Sequence, residues 1–424
     1  MTEWLNSDNN FNPTIILSKP HTFTRFSLSD IVVQGSVPVV LSQSIDRGGN
    51  IGWQFSNTTG RTLYWVGGSG DWDEQIHWAL TSGGPGGECI PTENDDVIFD
   101  AKSFNSNTDF VTYGRNANRV AFCKNLTFNV PGFTGSLTLN ILKIYGNLSI
   151  NQAINYNIFR TEFHNHTGVQ TVFAPSIKFE YFTIGGKSEV KLLSPIHIEY
   201  DLRCTDGVFN TDGFDMVVGF KCYFGNFGIR KKPLIKFRTS NVEIKGSNQQ
   251  YNEPLSCYRF LKLEGDSSRI NLSNNSTAMA INSPECKFGE IIASSITGTA
   301  DIASYQNTSI RKLILRGDGK FINFQNINNI GALTLDTLIL SAGKSYNYAA
   351  TYTQTINKHL QARGNNCNPI SIFSSISGQK GIISMPASAS INMDFVQMKD
   401  MRGIGGAIFN AGPYSTNINN TKKT

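Results

Sequence analysis

The residues best suited to chemistry lie in one stretch, LYWVGGSGDWDEQIHWALTSGGPGGECIPTENDDVIFD, which spans residues 63–100. Its aromatic and acidic side chains are Trp65, Trp72, Trp78, Asp71, Asp73, Glu74, Asp95, Asp96 and Asp100. A flat tryptophan face can stack on a sugar ring, which makes the three tryptophans candidate ligand-binding residues. Ca²⁺ takes its oxygen ligands from carboxylates and carbonyls, and the candidate ligands are Asp71, Asp73, Asp95 and Asp96, although their spacing is not that of an EF-hand loop.

The same stretch also fits a structural cap, which is the interpretation we prefer. The end of a repetitive β-fold exposes unpaired strand edges and an apolar cross-section, and large aromatic rings can cover both. Glycine allows a loop to fold tightly over such an end, and the stretch offers Gly67, Gly68, Gly70, Gly83, Gly84, Gly86 and Gly87. On this interpretation VIFD at 97–100 is the first strand to enter the repeat.

Other chemical candidates are weaker. Glu162, His164 and His166 alternate along EFHNH and can hold a metal, but a solvated strand face shows the same alternation. A polysaccharide lyase or hydrolase would use charged groups on an outer strand face, where the candidates are Lys191, Glu199, Asp201 and Arg203. The sequence contains no G-x-S-x-G, H-E-x-x-H or P-loop motif, so it predicts a protein that is not an enzyme.

Composition indicates an all-β chain. Charged residues make up only 16% of the sequence, while Phe and Tyr are abundant at 28 and 14 copies. The net charge of +5 is not focused in a long basic run, so nucleic acid is not implied, and no 18-residue apolar run predicts a membrane span. The seven cysteines are scattered and suggest buried thiols, with Cys204 and Cys222 as one possible stacked pair. The first residues do not resemble a signal peptide.

Short alternating strands recur between about residues 120 and 350. FCKNLTFN at 122–129 and LKIYGNLSIN at 142–151 are examples, and pairs such as Leu126 and Leu148, or Leu315 and Leu338, lie 22 or 23 residues apart. A unit of this length with two or three short strands is typical of one coil of a parallel β-helix. We therefore predict a right-handed parallel β-helix (solenoid) with an atypical Trp/Gly-rich N-terminal cap. Tandem β-sandwiches are the alternative, but the Asn-Gly and Asp-Gly hairpin turns that they need are scarce.

The two ends of the chain resemble each other. TIILSKP and FSLSDIVVQG near the start match GIISMP and FVQMKDMRG near the end, with Asp30 opposite Asp400 and SIDRGGN at 44–50 opposite YSTNINN at 414–420. This match predicts four regions: residues 1–56 end a preceding module, 57–118 form the cap and first coil, 119–350 form the β-helix coils, and 351–424 close the module. The hypothesis places the chain within a longer array, in which a further Gly-Trp-x-Phe strand like that at 52–55 would come next.

These residues carry a family resemblance. YWVGGSGDWDEQIHW and the following GGPGGECIPTENDDVIFDAKSF resemble the module start in repetitive surface proteins of Bacteroidota, including gliding-motility adhesins and related proteins secreted by the type 9 system. CNPISIFSSISGQKGIISMPASASINMDFVQMKDM at 367–401 and NAGPYSTNINNT at 410–421 resemble the module ends of the same group. The resemblance implies an extracellular or cell-surface location, no defined reaction, and neighbouring modules in the same chain as partners. The C-terminal sorting domain of that family is not visible in the sequence.

Two functions follow as hypotheses. The first is a non-enzymatic adhesin or stalk module of a larger surface protein, with a surface polysaccharide or another cell-surface ligand as its partner and no cofactor other than Ca²⁺. The second is a β-helix polysaccharide lyase or hydrolase, or a tailspike-like depolymerase, acting on an acidic polysaccharide.

Overall fold

The computed structural model describes most of the chain, and its strands form a parallel β-solenoid. The described residues are 2–5, 13–24, 26–35, 39–42, 44–46, 50–55, 60–114, 119–165, 167–225, 232–246, 255–257, 261–273, 277–281, 283, 285–294, 299–304, 308–322, 333–350, 353–419 and 422–423. Strand makes up 57% of the structure. The predicted parallel β-helix is thereby confirmed over the alternative of tandem sandwiches. The described part contains no helix with the length and hydropathy of a membrane span.

The chain divides into two compact units. The first contains Met1–Ser176 and Gly185–Val190, and the second contains Ile177–Ile184, Lys191–Phe227 and Lys231–Thr424. The four regions expected from the sequence remain predictions, because contact units and sequence modules are different divisions of the chain.

Eight short strands form the N-terminal segment of the first unit. They are β1 (Thr2–Leu5), β2 (Thr14–Ile16), β3 (His21–Thr24), β4 (Phe26–Ser29), β5 (Val32–Gln34), β6 (Val39–Ser42), β7 (Ile45–Asp46) and β8 (Trp53–Phe55). They pair in parallel as β1-β4-β7, β2-β5 and β3-β6-β8. This segment is therefore a small three-sided solenoid, whose buried centre consists of Leu28, Ile31 and Leu41.

The tryptophan-rich stretch forms the next elements. They are β9 (Thr62–Trp65), β10 (Gly70–Asp71), a 3₁₀ helix at Gln75–His77, β11 (Trp78–Ala79) and β12 (Asp96–Phe99). The strand β12 pairs in parallel with β9, with Val97 opposite Leu63. The VIFD strand is therefore not the first to enter the coil, as the sequence suggested, because β9 precedes it.

The rest of the first unit continues the parallel pairing. Its strands are β13 (Phe110–Tyr113), β14 (Val120–Cys123), β15 (Leu126–Phe128), β16 (Ser136–Ile144), β17 (Leu148–Ile150), β18 (Asn155–Phe163) and β19 (Val169–Phe173). In β16 alternate residues are buried, as expected for strands with one face in an apolar core.

The second unit repeats the same pattern. Its strands are β20 (Lys178–Phe179), β21 (Tyr181–Ile184), β22 (Glu189–Leu192, which begins in the first unit), β23 (Ile196–Ile198), β24 (Asp201–Cys204), β25 (Val208–Asn210), β26 (Met216–Val218), β27 (Lys221–Phe224), β28 (Leu234–Lys236), β29 (Asn241–Ile244), β30 (Leu255–Cys257), β31 (Lys262–Leu272), β32 (Thr277–Ile281), β33 (Glu285–Ala293), β34 (Thr299–Ser304), β35 (Thr308–Leu315), β36 (Asp318–Ile322), β37 (Leu333–Leu340), β38 (Ser345–Tyr348), β39 (Thr353–Arg363), β40 (Ile370–Ser374), β41 (Gly381–Ser384), β42 (Ser390–Asp394), β43 (Val396–Lys399), β44 (Met401–Ile404), β45 (Thr416–Asn419) and β46 (Lys422–Lys423).

The register tests the spacing expected from the sequence. Leu126 lies opposite Leu148, as the 22-residue spacing predicts. Leu315, however, lies opposite Leu340 rather than Leu338. That expected spacing is wrong because the coil there is longer, and alternation alone does not fix the length of a coil. All seven cysteines are free, so Cys204 and Cys222 form no disulfide.

Candidate functional site

The three tryptophans of residues 63–100 pack against one another in the interior. Trp65, Trp72 and Trp78 are 0%, 1% and 0% exposed. Trp78 meets Trp65 edge-on at 5.1 Å between ring centroids and Trp72 at 4.9 Å. Phe99 of β12 lies against all three rings. In this structure no face of these rings is open to a sugar, and their burial instead fits a cap.

Hydrogen bonds complete the packing of the tryptophans. The indole nitrogen of Trp78 donates to the carbonyl of Trp72 at 2.8 Å, and that of Trp65 donates to the carbonyl of Gly68 at 2.8 Å. A buried indole N–H normally needs such a partner. Both acceptors are main-chain atoms of the same stretch, so the stretch satisfies its own buried donors.

The short strand β11 covers an edge of the coil. It runs antiparallel to β9, with Trp78 opposite Trp65, whereas β9 pairs in parallel with β12 on its other side. An exposed strand edge presents unpaired N–H and C=O groups, and a short covering strand removes much of that liability. This arrangement supports the predicted cap.

His77 and Gly70 show why the stretch needs glycine. The imidazole of His77 stacks on Trp65 at 4.5 Å and its Nδ1 lies 2.7 Å from the carbonyl oxygen of Val66. A Cβ at Gly70 would lie 1.9 Å from His77 Nε2, which no side chain tolerates. Gly68 has a φ of +85°, in the left-handed region that favours glycine.

The four candidate calcium ligands do not converge. Asp95 accepts hydrogen bonds from Arg61 Nη2 at 2.9 Å and from the hydroxyl of Thr92 at 2.8 Å. Asp96 accepts from Asn125 at 2.6 Å, and Asp73 forms an ion pair with Arg119 at 2.9 Å. No group of three or more His, Cys, Asp or Glu side chains that could hold a metal occurs among the described residues.

The pKa values of two of these carboxyls reflect their different surroundings. Burial would raise the pKa of Asp95, but hydrogen bonds from Arg61 and Thr92 outweigh burial and leave the pKa below its ordinary value. Burial, and then the neighbouring Asp73, raise the pKa of Asp71. Asp95 is thus a structural anion that ties Arg61 to the loop at residue 92.

Two residues of the EFHNH motif, Glu162 and His164, form a local hydrogen bond. Glu162 Oε2 lies 2.7 Å from His164 Nε2, and its other oxygen lies 3.4 Å from Arg160 Nη1. Burial raises the pKa of Glu162, but the hydrogen bond to His164 and the nearby positive charges, including those of Lys143 and Arg160, together outweigh burial and lower the pKa. His166 lies outside the described residues. The pair therefore links neighbouring residues at the end of β18.

The charged groups named for a lyase or hydrolase each have an opposite charge beside them. Lys191 lies 2.9 Å from Asp212, and Glu199 lies 3.8 Å from Lys178. Asp201 and Arg203 form an ion pair with each other at 2.9 Å. Lys191, Glu199 and Arg203 are partly or fully exposed, as is typical of a solvated surface, whereas Asp201 is only 8% exposed.

An aromatic and cationic patch surrounds the last of these pairs, on the outer face of β21, β24 and β27. The Tyr181 and Tyr200 rings stack at 5.2 Å, and Tyr200 is 45% exposed. Arg203 lies opposite Tyr223 in the register, with its guanidinium carbon 5.9 Å from the ring centroid. Lys221 Nζ lies 5.3 Å from the same ring. We call these five residues the tyrosine patch.

Sequence reasoning missed the tyrosines of this patch. Tyr181, Tyr200 and Tyr223 lie on successive coils, so only the register brings them together. The available signal was an aromatic residue recurring about once per coil beside Asp201 and Arg203, which were recognised.

No family model, curated protein or solved structure matches the chain.

Proposed function

We propose that this protein is a non-enzymatic module of a larger repetitive cell-surface protein, and that it binds an acidic polysaccharide through the tyrosine patch. The observation that carries the modular part is the likeness of the two end segments. Strand β4 has its counterpart in β43, and β5 in β44, at the spacing that separates Asp30 from Asp400.

The backbone supports this likeness independently of the sequence. Asp30 and Asp400 have φ values of 57° and 53°, a left-handed conformation that is uncommon outside glycine. Each stands at the same corner, between the two matched strands. One long module that recurs along a chain would produce both segments, and proteins built from stacked repeats offer extended surfaces for binding.

The tyrosine patch supports a polysaccharide as partner. An exposed tyrosine offers an apolar ring face with a polar tip, which suits the mixed surface of a sugar. Arg203 and Lys221 contribute positive charge, which Asp201 offsets in part through its ion pair with Arg203; the remaining positive charge would attract carboxylate or sulfate groups on the ligand. The chain as a whole also carries a net charge of +5.

Binding to a panel of acidic polysaccharides tests the proposal. We expect saturable binding that Tyr200→Ala weakens about tenfold, equivalent to about 1.4 kcal/mol. Tyr414→Ala is the matched control, because Tyr414 is an exposed tyrosine of the same unit, 66% exposed, outside the patch. Mass spectrometry of the polysaccharide after incubation should find its chain length unchanged. Released oligosaccharides would contradict the non-enzymatic part and favour a lyase or hydrolase.

A further inference from the structure

An apolar groove lies at the C-terminal segment of the second unit, and the N-terminal segment shows what fills the equivalent place. The groove encloses about 210 Å³. A cavity of about 150 Å³ with an apolar lining is enough to bind benzene, so this groove can accept a larger aromatic ring. Its lining includes Ile383, Met393, Val396, Met398, Met401 and Ala411.

Strand register relates the groove to the N-terminal segment. Ile15 lies opposite Val33 in β2 and β5, and Ile383 lies opposite Gly403 in β41 and β44. Val33 lies three residues after Asp30, and Gly403 lies three residues after Asp400, so these two positions are equivalent. Their register partners, Ile15 and Ile383, are therefore equivalent as well.

A matching hydrogen bond confirms the equivalence on another side of the coil. The hydroxyl of Ser44 accepts from the backbone N–H of Phe26 at 3.0 Å, and that of Ser415 accepts from the N–H of Val396 at 3.0 Å. Ser44 thus matches Ser415 rather than residue 414, which the sequence comparison had placed opposite it.

The groove lining therefore corresponds to the N-terminal apolar cluster. The pairs, with the N-terminal residue first, are Ile15 and Ile383, Phe23 and Met393, Phe26 and Val396, Leu28 and Met398, Ile31 and Met401, and Leu41 and Ala411. The N-terminal cluster has two further members, Trp53 and Phe55 of β8.

Trp53 packs against the N-terminal cluster. Its ring meets Phe23 edge-on at 6.1 Å, and its indole N–H donates to the carbonyl of Ile31 at 2.9 Å. Continuing the register from Ser415 puts the equivalent of Trp53 at Thr424, outside the described residues. Among residues 381–419, Phe409 is the aromatic residue that lines the groove, and it is the counterpart of Val39 rather than of Trp53.

We infer that the groove binds an extended Gly-Trp-polar-aromatic segment like residues 52–55, supplied by another stretch of polypeptide, with the tryptophan ring seated among Met393, Met398 and Met401. Methionine side chains adapt their shape and make favourable contacts with aromatic rings, which suits a groove that receives its ring from elsewhere. This inference builds on the proposed recurrence of the module but is independent of polysaccharide binding, so either can fail alone.

A labelled peptide with the sequence of residues 48–58, GGNIGWQFSNT, tests the inference against the full chain by fluorescence anisotropy. We expect saturable binding, and about tenfold weaker binding of the same peptide with Trp53→Ala. Equal binding of the two peptides, or no binding of either at millimolar concentration, would overturn the inference.

Variants of the chain locate the binding site. Met398→Asp places a charge in the groove and should weaken peptide binding at least tenfold. Ile408→Asp is the matched control, because Ile408 is 75% exposed on the same segment and does not line the groove; it should leave affinity within about twofold.

A second groove variant keeps the test decisive if Met398→Asp fails to fold. Ala411→Phe fills the groove with a ring from the chain itself, so it should abolish peptide binding and raise the melting temperature. Peptide affinity unchanged in Ala411→Phe would place the peptide elsewhere and refute the inference. If the chain associates with itself through the groove and the peptide does not inhibit that association, the inference is also refuted.

Discussion

Replacing Trp72 by alanine distinguishes a cap from a ligand site. Trp72 is 1% exposed, and its ring lies against Trp78 and Phe99. Its hydrogen bonds to Thr112 at 2.7 Å and from Trp78 at 2.8 Å use main-chain atoms of residue 72, which alanine keeps. The loss is therefore one of packing, and deletion of a buried aromatic ring costs about 3–5 kcal/mol.

Hydrogen exchange measured by mass spectrometry is the suitable assay, because a repeat protein of two units need not unfold in one step. A local loss of about 3 kcal/mol should speed exchange in residues 60–114 roughly a hundredfold, since each 1.4 kcal/mol is a factor of ten. Trp72→Phe keeps a ring in place and should cost only about 1–2 kcal/mol.

The control is Ile76→Ala, which removes an apolar side chain that is 70% exposed in the same stretch. Surface changes of this kind stay within about 0.5 kcal/mol, so exchange should not change. If Trp72→Ala left exchange as slow as in the parent chain while it abolished polysaccharide binding, the cap would be refuted and the tryptophan would be a ligand-binding residue.

Three other sites lead to further predictions. Asp95→Asn should destabilise the cap by about 2–3 kcal/mol at pH 7, because it removes an anion that accepts charged hydrogen bonds from Arg61. The folded pKa of Asp95 is below its unfolded value of about 3.9, so the stability that the carboxylate contributes is present above about pH 3.9 and is lost as the pH falls through the folded pKa. Urea unfolding should therefore show a larger difference between the parent chain and Asp95→Asn at pH 7 than at pH 2, and an equal difference at both pH values would contradict this. Asp400→Ala should lower the free energy of unfolding by about 2 kcal/mol, because it removes the carboxylate that accepts a hydrogen bond from Gly378 and leaves alanine at positive φ. Calorimetry measures this change, and an unchanged melting temperature would rule out a structural role for this corner. Thiol titration of the native chain should find Cys89 and Cys367 reactive and the other five protected, and rapid reaction of more than two would show that the core is open.

The sequence predicted the repeat because burial on one strand face enforces alternation, and the register follows where coils keep one length. Leu126 and Leu148 illustrate this success, and Leu315 shows its limit, because a longer turn between strands shifts the partner without disturbing the alternation. The cap was the preferred interpretation because large aromatic rings beside many glycines suit the covering of a coil end. The sugar and calcium alternatives for the same stretch required its tryptophan and aspartate side chains to face solvent or one another. The direction of a side chain depends on its position in the strand, which the residue type does not reveal.

The tyrosine patch and the groove illustrate what remained beyond the sequence. Tyr181 and Tyr200 form part of one surface only because successive coils bring their rings together. The groove is harder still to foresee, because its residues are ordinary apolar side chains that differ from their N-terminal counterparts. The match of Asp30 with Asp400 already places Met398 opposite Leu28, and the strand pairings agree with it, but the groove itself is visible only in the structure.

The cap and the groove meet one physical requirement in two ways. A solenoid strand needs a neighbour for its main-chain groups, and its apolar face needs a cover. At residues 62–79 the chain provides both locally, since β11 turns back along β9 and brings Trp78 with it. At residues 381–417 the apolar lining is present without a tryptophan to cover it, while the equivalent lining around Leu28 is covered by Trp53. A coil that is closed by its own residues can fold by itself, whereas a coil that receives its cover from another segment couples its stability to that segment. Recurring modules with both features would therefore fold separately and still hold their neighbours in a fixed order.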